Sequence, residues 1–543
     1  MPCSNLSTSR NAARLPARAL AGLAAACVVH GVGLATTLPT APQTFDTSYV
    51  APTGATLTVA AGGDLQAALN QAQLGDTIVL QAGATFTGPF KLPNKTTGAG
   101  WIYVVSSNLA SLPPPGQRVG PNDALNMSKI VAPAHNSVLT TVANSHHFRF
   151  VGIEFSPVAG ASVYTLIPIG NTDTSPATLA HHIVFDRCYV HGETDVNDQR
   201  GIEMDGAYVA VVDSYISDFQ WVSTDSQGLW AYNTTGPLQI RDNYIEAGSE
   251  NVMFGGADSR EASLVPADIE IRNNYFFKPL SLIGSHYAPK NLLELKAAQR
   301  VLATGNTFQN SPAGGQGGTA IVITPRNQNG NAPWSVTADI AIIGNTFINI
   351  GNGFGIMGQD YNHPSLLTAR VLIRDNVLGI TGLNGASGWA FELTGGGSEY
   401  TIDHNTIINT APSPTSDLMM ADTRSKITNF TFTNNLATPT RYSFGASGVG
   451  EGTAALNGDF TNWVFARNVI VGARASAYPN GNFFPATVDA VGFNNYARSD
   501  YALAADSPYK SAATDGTAIG ANLSTAPAAN MIVPNPPGSV VVR

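Results

Sequence analysis

Short apolar segments bounded by Gly, Pro and Asn follow one another along most of the chain. The clearest example runs from Asn291 to Gln328, with the sequence NLLELKAAQRVLATGNTFQNSPAGGQGGTAIVITPRNQ. It contains the segments NLLELK, RVLATGNTF and TAIVITPR, which are shorter than the ten or more periodic residues that a helix needs. The pattern therefore predicts strands, arranged in a unit that is repeated along the chain.

The repeated unit has a nearly constant length. From His146 onward, an apolar residue, a variable residue, Asn or Asp, and a β-forming residue recur in segments such as LQIRDNYI, IEIRNNYF and FTFTNNLA. In the last nine copies the polar residue is Asp213, Asn243, Asn274, Asn306, Asn345, Asn376, Asn405, Asn435 and Asn468. Their spacings are 30, 31, 32, 39, 31, 29, 30 and 33 residues, which indicates a solenoid with a stacked ladder of asparagines.

A second strand lies between successive polar positions, in GIEMDG, GLWAYN, NLLELK, AIVITPR and WAFELT. Each coil thus contributes at least two strands to parallel sheets, whereas an ankyrin-like or leucine-rich array would need a helical period that is missing here. We expect an all-β protein, a single-stranded right-handed parallel β-helix over residues 53–525, with a tail at 526–543.

One short amphipathic helix precedes the repeats. Leu65, Ala68, Leu69 and Ala72 follow the i, i+3, i+4, i+7 spacing of a helical face, and Gly63 or Asp64 can serve as the N-cap. We expect this helix to cap the open end of the solenoid core.

The N-terminus has the order of charge, apolar core and small residues that is typical of a secretory signal peptide. Arg10, Arg14 and Arg18 precede the apolar run ALAGLAAACVVHGVGLA, and we assign residues 1–41 to the signal peptide and a short linker. A lipoprotein signal through Cys27 is the alternative. No later stretch has the 18 or more apolar residues of a membrane helix, so we expect an exported protein in the periplasm, at the cell surface or in the medium.

Net charge and cysteine content limit the molecules that the protein can bind and the cross-links that it can form. Without residues 1–41 the chain has 25 Lys and Arg against 37 Asp and Glu, a net charge of −12. Nucleic acid is therefore not expected as a partner, because phosphate binding needs a basic face. Cys188 is the one cysteine outside the signal segment, which excludes a disulfide framework.

Several sequence blocks carry a family resemblance: ENVMFGGADS, IEIRNNYFFKPL, NLLELKAAQRVL, ITPRNQNGNAPW and QDYNHPS. The chain resembles secreted right-handed parallel β-helix proteins of the pectate-lyase-like superfamily over residues 53–525. The resemblance implies the fold and a polysaccharide partner, but this fold carries lyases, hydrolases, epimerases and phage tailspikes.

A second resemblance concerns chemistry. LELK, ATGNTF and TPRNQ follow the order found in polysaccharide lyases of the chondroitinase B and alginate lyase type. It implies that Lys296 is the Brønsted base and Arg326 its partner one coil later. Those enzymes also hold calcium, whose ligand spacing has no match upstream of Lys296, since Glu294 lies too close.

The two cations suit β-elimination at a uronate. Neighbouring strands of a parallel sheet lie about 5 Å apart, so Lys296 and Arg326, when in register, lie side by side. A lysine amine can remove the proton next to the carboxylate while an arginine neutralises that carboxylate. The expected substrate-binding residues are Glu294 and the aromatic residues Tyr232, Tyr287 and Trp334. An ordinary ion pair between Glu294 and Lys296 fits the same residues.

Two other classes stay open. Glu203, Asp205, Asp225 and Glu250 can supply the carboxylate pair of an inverting glycoside hydrolase. A non-catalytic cell-surface or glycan-binding β-helix is the third class, and the sequence leaves the oligomeric state undetermined. The histidines His181, His182, His191, His286 and His363 are dispersed along the chain, and none has helical metal-ligand spacing.

Overall fold

The structure, a computed structural model, describes residues 37–170, 173–422 and 425–522. The assigned tail at 526–543 and residues 1–36 of the assigned signal segment lie outside these ranges. Three long sheets make up the described chain. Their strands pair in parallel with the strands one coil earlier and one coil later, which confirms the predicted right-handed parallel β-helix.

Sheet 1 has 15 strands. They are Thr56–Val59, Thr77–Leu80, Ile102–Ser106, His146–Val151, His181–Asp186, Ala207–Val212, Leu238–Arg241, Ala267–Arg272, Ala298–Thr304, Thr337–Ile343, Ala369–Arg374, Ser398–Asp403, Ile427–Thr433, Phe460–Thr461 and Val464–Ala466.

Sheet 2 has 13 strands and follows sheet 1 in each coil. They are Thr85–Thr87, Ser128–Ala132, Ile153–Pro157, Tyr189–His191, Tyr215–Phe219, Tyr244–Ala247, Tyr275–Phe277, Thr307–Ser311, Thr346–Ile350, Val377–Ile380, Thr406–Asn409, Leu436–Ala437 and Val469–Ile470.

Sheet 3 has 11 strands and completes the coil; its last two strands pair antiparallel. They are Val163–Ile169, Asp198–Met204, Gln227–Ala231, Glu250–Phe254, Leu293–Leu295, Thr319–Ile323, Asn352–Met357, Phe391–Thr394, Asp417–Asp422, Tyr442–Ala446 and Gly450–Glu451.

The remaining regular elements are short. Two small sheets join Phe90–Leu92 to Leu139–Thr141 and Phe493–Asn495 to Asp500–Leu503. The α-helices are Leu65–Gln71 and Thr453–Asp459. The 3₁₀ turns are Leu109–Ser111, Pro121–Asn126, Pro176–Thr178, Ala262–Leu264, Leu280–Leu282, Leu383–Gly385, Ala475–Ala477, Val488–Val491 and Tyr496–Arg498. None of the described helices is long and apolar enough to cross a membrane.

The predicted cap helix is present. Asp64 is its N-cap, and the Asp64 carboxylate accepts a hydrogen bond from Ala67 N at 2.9 Å. Leu65, Ala68 and Leu69 are buried in the same apolar cluster as the first strands. The helix therefore covers the N-terminal end of the core, because its apolar face has no other surface to contact.

The asparagine ladder stands at the turn between sheet 1 and sheet 2. Asn306, a representative member, donates its backbone N–H to Asn345 Oδ1 at 2.9 Å, and its own Oδ1 accepts from Asn274 N at 2.9 Å. Its Nδ2 also reaches Ile271 O at 2.9 Å. This turn divides each segment such as RVLATGNTF into two strands, so a coil has three strands where the sequence had indicated at least two.

One member of the ladder was misassigned. Ser214, not Asp213, occupies the ladder position in its coil, since Ser214 N donates to Asn243 Oδ1 at 2.8 Å. Asp213 is the preceding residue, with a left-handed φ of 53°, the conformation also found at Asp242 and Asn273. Both positions favour polar side chains, because Asp and Asn tolerate left-handed backbone. The ladder also continues beyond Asn468, to Asn482 Oδ1 at 2.9 Å.

Residues 37–50 form an N-terminal strap that crosses several coils of sheet 1. Thr40 N donates to Asp339 Oδ1 and Gln43 N donates to Asp268 Oδ1, each at 2.9 Å. Further along, the ring of Phe45 contacts Tyr208 edge-on at 5.6 Å, and Tyr49 contacts Tyr103 at 5.1 Å. The strap thus covers part of the outer face of sheet 1.

Candidate functional site

The outer face of sheet 3 carries a row of polar and aromatic side chains. The register aligns Glu203 with Trp230, Trp230 with Met253, and Met253 with Glu294 on four successive strands. The intervening positions Ile202, Leu229, Val252 and Leu293 point to the core and are fully buried. Alternation along each strand therefore places the glutamates and Trp230 on one outward surface.

Lys296 and Arg326 lie together at the edge of this surface, where sheet 3 turns toward sheet 1. Arg326 N donates to the carbonyl oxygen of Lys296 at 2.7 Å. They are not register partners: Glu294 is opposite Val322 and Leu295 opposite Ile323, so Arg326 lies two residues beyond the position opposite Lys296. The two cations are therefore neighbours on consecutive coils through this backbone bond.

Each cation has its own carboxylate. Lys296 Nζ is 3.3 Å from Glu294 Oε1, as the ion-pair interpretation expected, and the lysine side chain is 16% exposed. Arg326 Nη1 is 3.1 Å from Asp360 Oδ1, with 23% of the arginine side chain exposed. Asp360 itself is buried and also accepts the N–H groups of Asn327 and Asn362, each at 2.9 Å. The carboxylates thus fix both cations while solvent still reaches them.

The long loop after Arg326 is firmly held. Asp258 accepts the backbone N–H groups of Asn329 and Asn331 at 3.1 Å each. Ser335 Oγ donates to the carbonyl oxygen of Arg326 at 2.8 Å. The 39-residue spacing in the ladder signalled this insertion, and the structure places it beside the two cations.

A connected polar cluster extends the surface toward the N-terminal coils. Arg200 Nε donates to Gln227 Oε1 at 2.9 Å, and Gln227 Nε2 donates to Glu250 Oε2 at 2.8 Å. Lys290 Nζ is 2.6 Å from Asp225 Oδ2 and 3.6 Å from Glu250 Oε1. Burial, together with the charges of Glu294 and Asp225, raises the pKa of Glu250. Glu250 thus links the Lys290 cluster to the Lys296 pair.

Glu203 and Asp205 form a second buried acidic pair at the other end of the surface. Burial and the charge of Asp205 raise the pKa of Glu203. Burial also raises the pKa of Asp205, although its Oδ1 accepts from Tyr232 N at 2.8 Å and Asn233 N at 3.0 Å, bonds that favour the carboxylate. Because the two amide bonds fix the charge on Asp205, the proton of the pair resides on Glu203 near neutral pH.

Unpaired oxygen atoms concentrate on this sheet. In the part of the chain that the structure describes, five buried side-chain oxygens have no hydrogen-bond partner, and all five belong to sheet 3 or to residues adjoining its strands. They are Asp205 Oδ2, Glu250 Oε1, Asn291 Oδ1, Glu294 Oε2 and Asp417 Oδ1. Buried acceptors are normally paired, so these oxygens mark sheet 3 as the sheet whose polar side chains are incompletely satisfied within the described chain.

The aromatic residues named from the sequence have different environments. Tyr232 is half-buried and stacks on Trp230 at 4.8 Å, and Arg200 lies over the Trp230 ring at 4.0 Å. Trp334 is instead fixed to the framework, with Nε1 donating to Ser259 Oγ at 3.0 Å and its ring packed near Ala297. Tyr287 is buried, 8% exposed. Tyr232 is therefore the most available of the three as a stacking surface for a sugar.

Sequence reasoning missed Arg200, Gln227, Lys290 and Asp360. Their roles depend on contacts between coils, which no single segment displays. Lys290 had a local signal, because it lies four residues before Glu294 and six before Lys296, in KNLLELK.

The residues present do not fit calcium, which prefers six to eight oxygen ligands. Glu250, Glu294 and Asn291 have free oxygens, but Lys290 Nζ and Lys296 Nζ lie 3.6 Å and 3.3 Å from the two carboxylates. Within the described ranges, three Asp or Glu side chains nowhere converge to ligand distance.

The prediction that the histidines are dispersed was wrong for His181 and His182. These two residues lie directly against His146 and His147 of the preceding coil. The signal in the sequence was the pair HH at the start of both HHFRF and HHIVF, one coil apart.

These features define a parallel β-helix protein with a mixed acidic and basic surface on one sheet. No protein-family model and no curated protein matches the chain. Among solved structures, the PL6 family alginate lyase AlyGC has a TM-score of 0.49 and 13% identity over 86% of this chain and 57% of that one. This chain thus corresponds to little more than half of the alginate lyase.

Two further similar structures differ in chemistry. The catalytic unit of a GH87 α-1,3-glucanase from Streptomyces thermodiastaticus has a TM-score of 0.44 and 12% identity, over 82% of this chain and 69% of its own. The pectate lyase Pel9A has a TM-score of 0.37 and 13% identity, over 86% of this chain and 96% of its own.

Proposed function

We propose that the protein is a polysaccharide lyase that cleaves uronate-containing glycans by β-elimination on the outer face of sheet 3. The observation that carries the proposal is the contact of Lys296 and Arg326, joined by a 2.7 Å backbone hydrogen bond on consecutive coils. Both side chains reach solvent, and both are fixed by a buried carboxylate. A base and a carboxylate-binding group are thus held next to each other on a rigid scaffold.

In the proposed reaction, Lys296 is the base that removes the proton at C5 of the uronate. The electron pair left behind forms the C4=C5 double bond, and the bond from C4 to the glycosidic oxygen breaks. That oxygen takes up a proton from the Lys296 ammonium, which returns the base to its starting form. Arg326 binds the uronate carboxylate, on which negative charge builds as the C5 proton departs. Its Nη1 is engaged by Asp360, which leaves the rest of the guanidinium fork for the substrate.

The polar cluster gives this surface the extent of several sugar units. From Glu203 to Glu294 the row crosses four adjacent strands, which at about 4.8 Å per step spans roughly 14 Å. Tyr232 offers a ring face beside this row. We further propose that the protein is exported and meets its polysaccharide outside the cytoplasm, as the arginines and apolar run before residue 41 indicate.

The test is an absorbance assay on a panel of alginate, pectate and glycosaminoglycans, run with and without Ca²⁺. The unsaturated product absorbs in the ultraviolet, and we expect Lys296→Ala to lower the rate by about 10²-fold or more, as loss of a general base does. Lys129→Ala is the matched control, because Lys129 is also paired with a strand glutamate, Glu154, at 2.9 Å on sheet 2. Absorbance that persists in a folded Lys296→Ala variant contradicts the assigned base.

A glycoside hydrolase is the second candidate, favoured by the raised pKa of Glu203 beside ionised Asp205. A protonated glutamate is the form that a general acid requires. New reducing ends without ultraviolet absorbance, lost in Glu203→Gln but kept in Lys296→Ala, would select it. If neither signal appears on any glycan, the non-catalytic binding class replaces both enzymes.

A further inference from the structure

Four histidines form a compact block on sheet 1, away from the polar surface of sheet 3. His146 and His147 begin one strand, His181 and His182 begin the next, and the register pairs His181 with His146. The rings stack between coils: His146 lies on His181 at 4.9 Å and His147 on His182 at 4.5 Å, each nearly parallel.

Within each coil, the two imidazoles face each other through their Nδ1 atoms. The distance is 2.7 Å between His146 and His147, and 2.8 Å between His181 and His182. His146 Nε2 is also 2.7 Å from the carbonyl oxygen of Lys95, which can only accept, so this nitrogen carries the hydrogen. His146 Nδ1 faces His147, and the other ring nitrogen of His146 is oriented by a carbonyl, as in many metal-bound histidines.

Aromatic side chains surround the block and keep it partly dry. Trp101 lies 5.2 Å from the His147 ring, Tyr208 stacks on His182 at 4.3 Å, and Phe45 of the strap reaches His182 at 6.2 Å. All four histidines are half-buried.

We propose that His147, His181 and His182 bind one divalent transition-metal ion, of the class of Zn²⁺ or Cu²⁺. One nitrogen from each of these residues lies within 4.8 Å of the other two. Three nitrogens that each lie about 2.1 Å from one tetrahedral metal ion stand about 3.4 Å apart, so the rings would close onto the ion when it binds. Imidazole nitrogens are preferred by Zn²⁺, Cu²⁺ and Ni²⁺, and not by Ca²⁺ or Mg²⁺.

Ring stacking alone does not account for imidazoles in this block. Tyr208 occupies the equivalent left-handed position in the next coil, with φ of 55°. Its phenol ring stacks on His182, so stacking at this position does not require an imidazole. What histidine adds is nitrogen lone pairs, and the two pairs bring four Nδ1 atoms together on adjacent coils.

The test is a titration of the full chain, purified without a histidine tag and stripped of metal, with Zn²⁺ and with Cu²⁺ against a chromophoric chelator. We expect one equivalent to bind and to raise the Tm, since the ion binds only the folded block. His147→Asn and His182→Asn should each weaken metal binding by more than about 10-fold. Loss of a residue that only orients a ligand already weakens binding by about 10-fold, and these two residues are ligands themselves. Asn tolerates the left-handed backbone of both positions.

His135→Asn is the matched control, because His135 is exposed and has the same φ of 59° as His147. Unchanged binding in this variant supports the proposal, whereas an equal loss overturns it. Electron paramagnetic resonance of the Cu²⁺ complex of the unaltered chain tests, without any variant, whether imidazole nitrogens coordinate the ion. Coupling to two or more imidazole nitrogens is expected; oxygen coordination, or no bound ion at all, overturns the site.

Discussion

Two rows of buried polar side chains run along the same solenoid and have opposite character. In the asparagine ladder, each interior amide donates and accepts within the row, as Asn306 does with Asn274, Asn345 and Ile271. On sheet 3, Glu250 and Glu294 are equally buried but keep unpaired oxygens. A satisfied row stabilises the coils, whereas an unsatisfied row costs stability and is maintained where a ligand can complete it.

The first way to test this contrast is to interrupt the ladder. We expect Asn306→Ala to lower the free energy of unfolding by about 3 kcal/mol, because it removes bonds to both neighbours and leaves buried donors and acceptors unpaired. Urea unfolding followed by circular dichroism measures the change. Asn94→Ala, at an exposed loop position, should leave the midpoint nearly unchanged. A similar midpoint for both variants would show that the ladder is not the stabilising row.

The pH dependence of two aspartates sharpens the contrast. Burial raises the pKa of Asp417 on sheet 3 to about 7. A carboxyl whose folded pKa is raised favours folding fully below its unfolded value near 4, and this contribution is lost as the pH rises toward 7. Asp417→Asn should therefore raise the unfolding midpoint at pH 8 and leave it unchanged at pH 3.5.

Asp339 on sheet 1 is the opposite case and serves as the comparison. Burial alone would raise its pKa, but hydrogen bonds from Arg370 and Thr40 lower it below the ordinary value. Its contribution is present above pH 4 and is lost as the pH falls. Asp339→Asn should thus destabilise the protein at pH 7 more than at pH 3. Equal pH profiles for the two variants would contradict the assigned environments.

The smallest expected effect concerns sugar stacking and depends on the proposed function. Tyr232→Ala should raise KM about 5-fold with little change in kcat, since an aromatic stacking contact contributes about 1 kcal/mol. Steady-state kinetics on the glycan that gives the absorbance signal measures it. Tyr442→Ala is the control, an exposed tyrosine several coils away on the same sheet. A drop in kcat with unchanged KM would place Tyr232 outside the binding surface.

The fold could be predicted from the sequence because the same pattern of apolar and polar residues recurs in successive coils. The apolar alternation and the 30-residue spacing of the asparagines predicted the parallel β-helix and its ladder, and the i, i+3, i+4 pattern predicted the cap helix. The error at Asp213 has a local cause, since Asp and Asn suit both the left-handed position and the ladder position next to it. Only the hydrogen bond from Ser214 to Asn243 separates the two.

The candidate site was accessible only in part. Lys296 and Glu294 are two residues apart on one strand, so their ion pair follows from strand geometry. Arg326 forms a backbone hydrogen bond to Lys296 and a side-chain hydrogen bond to Asp360. Both depend on how loops of different length bring consecutive coils together.

The sequence by itself determined the class of fold, the period of the coil and the residues that face its core, because these depend on local alternation repeated along the chain. The tertiary structure decided which polar residues of different coils meet. It joined Arg200, Gln227 and Glu250 into one cluster, left Glu294 with an unpaired oxygen and stacked His147 on His182. Such contacts follow from register between strands about 30 residues apart, and a register is set by the packing of the whole coil.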